Sequence, residues 1–140
     1  MIKDRRPYYI RNLIENYYKF WTYYFIKPQF RSVGKNLDIN KPWNLDIYGD
    51  DIFVGDNVHF RTSKNIITQI CSWNRNDTNA RILIGDNVLI GGQAGISGHL
   101  KIGNNIQIGG GSGVIKNIPD NTKVMGYPAK SIKEFLKDNR

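Results

Sequence analysis

The chain has 140 residues and a formal net charge of +8, with 20 Lys or Arg against 12 Asp or Glu. This length predicts one domain, residues 1–140, and we expect neither a secretory signal nor a membrane-spanning segment. The positive charge favours acidic partners. However, the basic residues are dispersed and no nucleic-acid-binding motif is present, so we expect no nucleic-acid partner. The single cysteine, Cys71, excludes an intrachain disulfide and favours the cytoplasm.

Residues 7–27 predict a helix, because aromatic and aliphatic side chains recur at i, i+3 and i+4 spacing. These side chains are Ile10, Leu13, Ile14, Tyr17, Tyr18, Trp21, Tyr24 and Phe25. Lys27 followed by Pro28 ends the pattern. Two interpretations of this helix stay open. It is either a cap or subunit contact over the end of the following domain, or a peripheral contact with the inner membrane.

A period of six residues runs through the second half of the chain. Aliphatic residues recur at Ile84, Ile90, Ile96, Ile102, Ile108 and Val114. A second small or apolar residue follows each of them by four positions: Val88, Ala94, Leu100, Ile106, Ser112 and Ile118. Six is the period of neither a helix nor a strand. It is typical of a solenoid in which three six-residue segments form one coil and inward side chains stack from coil to coil.

The same phase extends upstream and predicts that Val54, Phe60 and Ile66 also point inward. We therefore expect the solenoid to cover residues 34–119. The polar segment 72–79 lacks the pattern but keeps the register, so we expect it to leave the solenoid as a loop, where binding residues are common.

Glycine and asparagine at the corners of the coils, such as Gly85, Gly103 and Asn87, are expected to adopt left-handed backbone angles. The earliest part of the solenoid, residues 37–52, is expected to be irregular. After the solenoid, residues 129–138 predict a short amphipathic helix.

Residues 80–140 carry the most specific resemblance to known proteins. They contain Gly-Gly-Gln-Ala-Gly-Ile-Ser-Gly-His-Leu-Lys-Ile-Gly at 91–103, Gly-Gly-Gly-Ser-Gly-Val at 109–114 and Met-Gly-Tyr-Pro-Ala at 125–129. These motifs resemble the last coils of the UDP-3-O-acylglucosamine N-acyltransferase family of lipid A synthesis.

Residues 16–90 are similar to the start of the polysaccharide O-acyltransferases. The matching motifs are Val-Gly-Lys-Asn-Leu at 33–37, Lys-Pro-Trp at 41–43 and Val-Gly-Asp-Asn-Val-His at 54–59. The chain thus resembles the beginning of one hexapeptide-repeat acyltransferase and the end of another.

The resemblance implies an all-β fold: a left-handed parallel β-helix with an N-terminal helix and a short C-terminal helix, assembled as a homotrimer. It implies an acyltransferase with an acyl-thioester co-substrate, carried by acyl carrier protein or coenzyme A, and no permanently bound cofactor. The acceptor would be an amine or hydroxyl of a sugar nucleotide or glycan in lipid A or surface polysaccharide synthesis.

Acyl transfer needs a general base near neutral pH, and the chain has two histidines, both expected to face outward. The resemblance places His99 in the active-site groove, so His99 is the first catalytic candidate and His59 the alternative. The motifs that hold the main histidine in the two families, Ile-Ala-His-Asn and Asp-Trp-His, are absent. A non-catalytic β-helix, either a truncated or recombined relative or an assembly scaffold, is therefore the alternative to an enzyme.

The resemblance also implies that the phosphopantetheine arm of the donor runs along the last coils, between subunits. The implied donor-binding residues are Gly109, Gly110, Ser112, Lys116, Tyr127, Pro128 and Lys130. The lysines either meet coenzyme A phosphates or acidic residues of a carrier protein, or they solely keep the surface soluble. Two scattered histidines and one cysteine form no ligand cluster, so we expect no metal site.

Overall fold

The structure, a computed structural model, describes residues 7–49, 51–62, 67–72 and 81–139. Within these residues lie two α-helices, α1 (Tyr8–Trp21) and α2 (Ile132–Asp138). The strands are β1 (Ser32–Val33), β2 (Asp38–Ile39), β3 (Leu45–Tyr48), β4 (Ile52–Val54), β5 (His59–Arg61), β6 (Thr68–Cys71), β7 (Ile82–Ile84), β8 (Leu89–Gly91), β9 (Gly95–Ser97), β10 (Leu100–Ile102), β11 (Gln107–Ile108), β12 (Gly113–Val114), β13 (Lys123–Met125) and β14 (Lys130–Ser131).

The strands form three sheets, and the chain passes through them in turn. The first sheet has the order β1-β4-β7-β10, the second β14-β13-β11-β8-β5-β2, and the third β12-β9-β6-β3. Each strand from β1 to β9 therefore pairs with the strand three places later, and all these pairs are parallel. Every three consecutive strands up to β12 make one coil with three sides.

The interior of the coils is the double row of side chains that the six-residue period predicted. All twelve residues of the two rows between Ile84 and Ile118 are buried. Ile84 pairs with Ile102 and Ile90 with Ile108, eighteen residues later, so these coils consist of three six-residue segments. Burial of each large aliphatic side chain contributes about 1.5–3 kcal/mol, and this contribution is distributed along the stack.

The second coil departs from the period. Ile70 of β6 is buried and pairs with Ile96 of β9, whereas Ile66, the predicted inward residue, lies outside the described residues. The segment from Phe60 to Ile70 is four residues longer than the equivalent segment of the next coil, and the segment from Ile70 to Ile84 is eight residues longer. Together the two additions are a multiple of six, so the phase returns at Ile84 although the coil is longer.

Residues 37–49, which belong to the segment 37–52 predicted to be irregular, form a regular part of the first coil. They contain β2 and β3, which pair in parallel with β5 and β6. The period misses these strands because Ile39 and Ile47, which pair with the buried Phe60 and Ile70, lie eight residues apart, with a short 3₁₀ turn, Pro42–Asn44, between them. Of the predicted loop 72–79, the residues after Ser72 lie outside the described residues.

One corner of every coil is built from an asparagine with a left-handed backbone. Asn36, Asn57, Asn87, Asn105 and Asn121 have φ angles between 54° and 57°. Each of the first four donates a hydrogen bond from its side-chain amide to the side-chain oxygen of the next, over 2.8–3.1 Å. Asparagine suits this row because it tolerates positive φ and can donate and accept at the same time.

A second ladder of hydrogen bonds runs beside the asparagines. The backbone N–H groups of Asp56, Asp86 and Asn104 each donate over 2.8 Å to the side-chain oxygen of the equivalent residue one coil later. The preceding glycines make this spacing possible: a Cβ on Gly85 would lie 2.7 Å from the carbonyl oxygen of Gly103. Neither Gly85 nor Gly103 has a positive φ. Glycine is needed at these positions because the next coil approaches closely, and not because of a left-handed angle as we predicted.

The N-terminal segment caps the core without being one regular helix. Within the predicted helix 7–27, α1 ends at Trp21 and is followed by a π-helical segment, Thr22–Ile26, and a 3₁₀ turn, Lys27–Gln29. Ile26 and Phe30 are buried, and the Phe30 ring stacks on Phe60 with 6.5 Å between ring centroids. Helix α1 itself has no buried residue.

The C-terminal segment ends the parallel stacking. Strand β13 pairs in parallel with β11, and β14 then pairs antiparallel with β13. Helix α2 begins with a capping box in which Ser131 and Glu134 bond each other's backbone N–H. It starts later than the predicted residue 129 because Lys130 and Ser131 belong to β14. In the described chain, no helix combines the length and apolarity needed to cross a membrane.

The asparagine row predicts a measurable stability difference at Asn87. Asn87→Ala removes two ladder hydrogen bonds and replaces asparagine, which tolerates φ 56°, by a residue that adopts this angle at a higher cost. We expect it to lower the free energy of unfolding by roughly 2–3 kcal/mol, and Asn87→Gly, which tolerates the backbone angle, by about 1 kcal/mol. Urea denaturation of both variants measures this difference. Equal losses for the two variants would contradict a left-handed requirement at this corner.

Candidate active site

His59 lies on the outer face of the second sheet, beside a carboxylate from the preceding coil. Strands β2 and β5 are paired so that Asp38 lies opposite His59. His59 Nδ1 is 3.2 Å from Asp38 Oδ2, and Arg61 Nη1 donates to the same oxygen over 3.4 Å. With 37% of its side chain exposed, His59 is accessible and held by a partner at the same time.

This arrangement is chemically suited to proton transfer. A carboxylate that accepts a hydrogen bond from Nδ1–H fixes the imidazole tautomer and leaves Nε2 as the nitrogen that can accept a proton. Arg61 donates to the same oxygen of Asp38, so the carboxylate has two hydrogen-bond partners. The sequence analysis named His59 but missed Asp38 and Arg61. The sequence does carry one sign of this pair: Asp38 and His59 each come directly before an inward residue, Ile39 and Phe60.

His99, the first catalytic candidate from the sequence, lies at a different place. It is exposed and sits in the turn between β9 of the third sheet and β10 of the first sheet, directly after Gly98, which has φ +106°. The structure therefore does not bring His99 and His59 to one face of the solenoid.

The second sheet also carries part of the predicted donor site. Ile90 pairs with Ile108 and Arg61 with Gly91, so Gly109 follows β11 at the level of Gly91 on β8. At about 4.8 Å per strand, β11 lies roughly 10 Å from the strand of His59. Gly91 packs against the next turn so closely that a Cβ on it would lie 2.5 Å from the backbone nitrogen of Gly110.

The remaining donor residues are distributed over two places. Tyr127, 84% exposed, follows β13 and packs its ring against Gly113, and the peptide bond between Tyr127 and Pro128 is cis. Lys116 and Lys130 line a groove of about 650 Å³ beside α2. Lys130 donates to Asp138 Oδ2 over 2.6 Å, and this hydrogen bond, with the attraction of the carboxylate, raises the pKa of Lys130 above its ordinary value.

Ser112 does not fit the predicted donor site. It is 1% exposed, and its hydroxyl has no hydrogen-bond partner among the described residues. The reason lies in the period itself, since Ser112 occupies the second inward position of its coil. Within the described ranges, no three His, Cys, Asp or Glu side chains converge to form a possible metal site.

Comparison with known proteins gives a consistent set of relatives. No protein-family model matches the chain. The UDP-3-O-acylglucosamine N-acyltransferase of Helicobacter hepaticus is 45% identical over 53 residues, which are 38% of this chain and 16% of that protein.

Among solved structures, the serine acetyltransferase of Neisseria gonorrhoeae has a TM-score of 0.66 and 28% identity, over 75% of this chain and 38% of its own. A maltose O-acetyltransferase from Clostridium difficile has a TM-score of 0.53 and 27% identity, over 94% of this chain and 77% of its own. The resemblance to the hexapeptide-repeat acyltransferase superfamily is confirmed. The chain nevertheless spans less than two fifths of the first two of these relatives.

Proposed function

We propose that the chain is a left-handed parallel β-helix that transfers an acyl group from a thioester to a sugar hydroxyl or amine. The pairing of His59 with Asp38 on an outer sheet face carries the proposal, since it supplies an oriented base in a fold shared with acetyltransferases. Lipid A or surface polysaccharide synthesis in the cytoplasm is the proposed setting. It is supported by the match to the lipid A enzyme and by the lone cysteine.

The proposed reaction uses groups of the second sheet. His59 Nε2 accepts the proton of the acceptor hydroxyl or amine as that atom attacks the thioester carbonyl. The tetrahedral intermediate then collapses, the carbon–sulfur bond breaks, and the proton passes from His59 to the leaving thiolate. The amides of Gly109 and Gly111 donate to the carbonyls of Val124 and Gly92, so we assign the oxyanion contact to the amide of Gly110.

The donor is proposed to approach along the last coils. Its phosphates, or the acidic surface of an acyl carrier protein, would meet Lys116 and Lys130, and the exposed ring of Tyr127 with Pro128 would flank the pantetheine arm. The positive net charge supports either donor. No permanently bound cofactor takes part in the proposal.

Substitution of the two histidines tests which of them is the base. We expect His59→Ala to lower kcat/KM for acyl transfer to glucosamine-type acceptors by about 10²–10⁴-fold, because the proton acceptor is lost. Asp38→Asn should cause a smaller loss, and His99→Ala is the matched control with near-normal activity. Loss confined to His99→Ala would transfer the role to His99. No turnover by the wild type with acetyl and longer acyl thioesters would favour the non-catalytic scaffold.

The proposed assembly is a homotrimer, as the resemblance implies. A chain of 16.1 kDa should then sediment with three times that mass. Analytical ultracentrifugation measures the mass directly, with the Asn87→Gly variant as a control for weakened folding. A well-folded monomer would exclude a donor site between subunits.

Helix α1 presents a large exposed aromatic surface, for which we propose peripheral contact with a membrane. The exposed apolar side chains of α1 and of the π-helical segment that follows it are Tyr8, Tyr9, Leu13, Tyr17, Phe20, Tyr23, Tyr24 and Phe25. Arg11 lies over the ring of Tyr8 and Lys27 over that of Tyr23, at 5.9 and 5.4 Å from the ring centroids. Aromatic rings interleaved with cations suit the headgroup region of anionic lipid.

Liposome flotation tests this contact. The intact protein should float with vesicles of anionic lipid, and float less at high salt, because the basic residues supply part of the attraction. Tyr9→Ser combined with Phe20→Ser should abolish flotation, whereas Ile115→Ser, at an exposed apolar residue elsewhere, should not. Absence of the wild-type protein from the lipid fraction would assign the surface to a subunit contact.

A further inference from the structure

A groove of about 1050 Å³ lies between the N-terminal segment and the first coil. One wall consists of α1 and the π-helical segment, with Tyr18, Lys19 and Tyr23. The opposite wall consists of residues 33–40 of the first coil, with Arg61 of the second coil beside them. The groove has the size of a small-molecule site.

The groove is lined by four cationic side chains, Lys19, Lys27, Lys35 and Arg61, and by three acidic ones, Glu15, Asp38 and Asp56. Lys19, Lys27 and Lys35 line it, and none of the three has an ion pair with a described residue. Two of the acidic residues along the groove are already hydrogen-bonded: Asp38 to His59 and Arg61, and Asp56 to the backbone N–H of Lys35. Ammonium groups without an ion pair along a concave site attract an anion, and phosphate is a strong candidate.

An unsatisfied hydroxyl in the same groove points independently to a ligand. Thr22 is 8% exposed and lines the groove, and its Oγ1 has no hydrogen-bond partner among the described residues. A threonine inside a helix commonly donates to the carbonyl three or four residues earlier, which Thr22 does not do. It begins the π-helical segment Thr22–Ile26, a distortion that is frequent at functional sites.

The aromatic side chains of the groove add an apolar face. Tyr18 is half-buried, with its ring edge-to-face against Trp43 at 5.3 Å between centroids. Tyr23 is exposed and lies under the Lys27 ammonium group. A rigid ring next to cations and a free hydroxyl provides apolar, ionic and hydrogen-bonding contacts in one site. A sugar that carries phosphate matches all three.

We propose that this groove binds a phosphorylated sugar, with the phosphate at Lys19 and Lys35 and the sugar ring against Tyr23, beside the buried Thr22 hydroxyl. Asp38 and Arg61, which line the groove, also hold His59, so these two side chains connect the groove with the candidate base. That the site serves the acceptor rests on the proposed acyl transfer, whereas binding itself does not.

Isothermal titration calorimetry on the full chain tests the binding without turnover. The probes are N-acetylglucosamine 1-phosphate, UDP-N-acetylglucosamine, N-acetylglucosamine and inorganic phosphate. We expect saturable binding of a phosphorylated sugar that Lys19→Ala and Lys35→Ala each weaken by about tenfold. Thr22→Val, which keeps the shape and removes the hydroxyl, should also weaken it. Lys101→Ala, at an exposed lysine of the first sheet, is the matched control, and thermal unfolding confirms that each variant folds.

Whichever of the two phosphorylated probes binds more tightly identifies the form of the sugar. The proposal is overturned if the groove variants bind like the wild type, if the neutral sugar binds as tightly as the phosphorylated one, or if inorganic phosphate alone binds as tightly. Normal binding by His59→Ala with no acyl transfer by the wild type would refute the catalytic proposal and leave this one standing.

Discussion

The constraint on which the whole structure depends is the corner where each coil passes from the first sheet to the second. There, an asparagine with positive φ bonds the asparagine of the next coil, and a backbone N–H bonds the side chain of the next Asp or Asn. These bonds, together with the glycines that admit the next coil closely, set one spacing for the stack. The aliphatic interior supplies most of the favourable free energy, but it is not directional; the corner determines the register.

A fixed register between coils explains how the candidate catalytic pair arises from distant parts of the sequence. Asp38 and His59 face each other because their strands are neighbours in the second sheet, one coil apart. The same sheet continues to Gly91 and the turn at Gly109. In the proposed reaction the base and the Gly109–Gly110 turn therefore belong to the same sheet, while the N-terminal segment lies beside the first coil and forms a groove with it.

The solenoid core was predictable from the sequence because inward side chains must recur wherever coils of equal length stack. The period gives no information on where the extra residues of the second coil lie: Ile70 pairs there with the inward Ile96, and Ile66, predicted to point inward, lies outside the described residues. The prediction misassigned the glycines at positions 85 and 103, since composition alone does not distinguish a left-handed turn from a close approach.

The candidate site was less predictable. The sequence identified two histidines and favoured His99 by resemblance, but the carboxylate partner of His59 lies 21 residues away, a spacing that matches no multiple of six. Both residues come directly before an inward residue, but the strand pairing is needed to show that they are neighbours. Likewise, Ser112 was assigned to the donor site by resemblance although its place in the period already put it inside the coil.

A structure of the protein with a non-hydrolysable acyl-thioester analogue is the most direct test of the central claim that the second sheet carries the acyl transfer. The account predicts the analogue's carbonyl on the outer face of that sheet, roughly 3–4 Å from His59 Nε2, with its oxygen toward the amide of Gly110. A carbonyl bound beside His99, or with no contact to the second sheet, would contradict it.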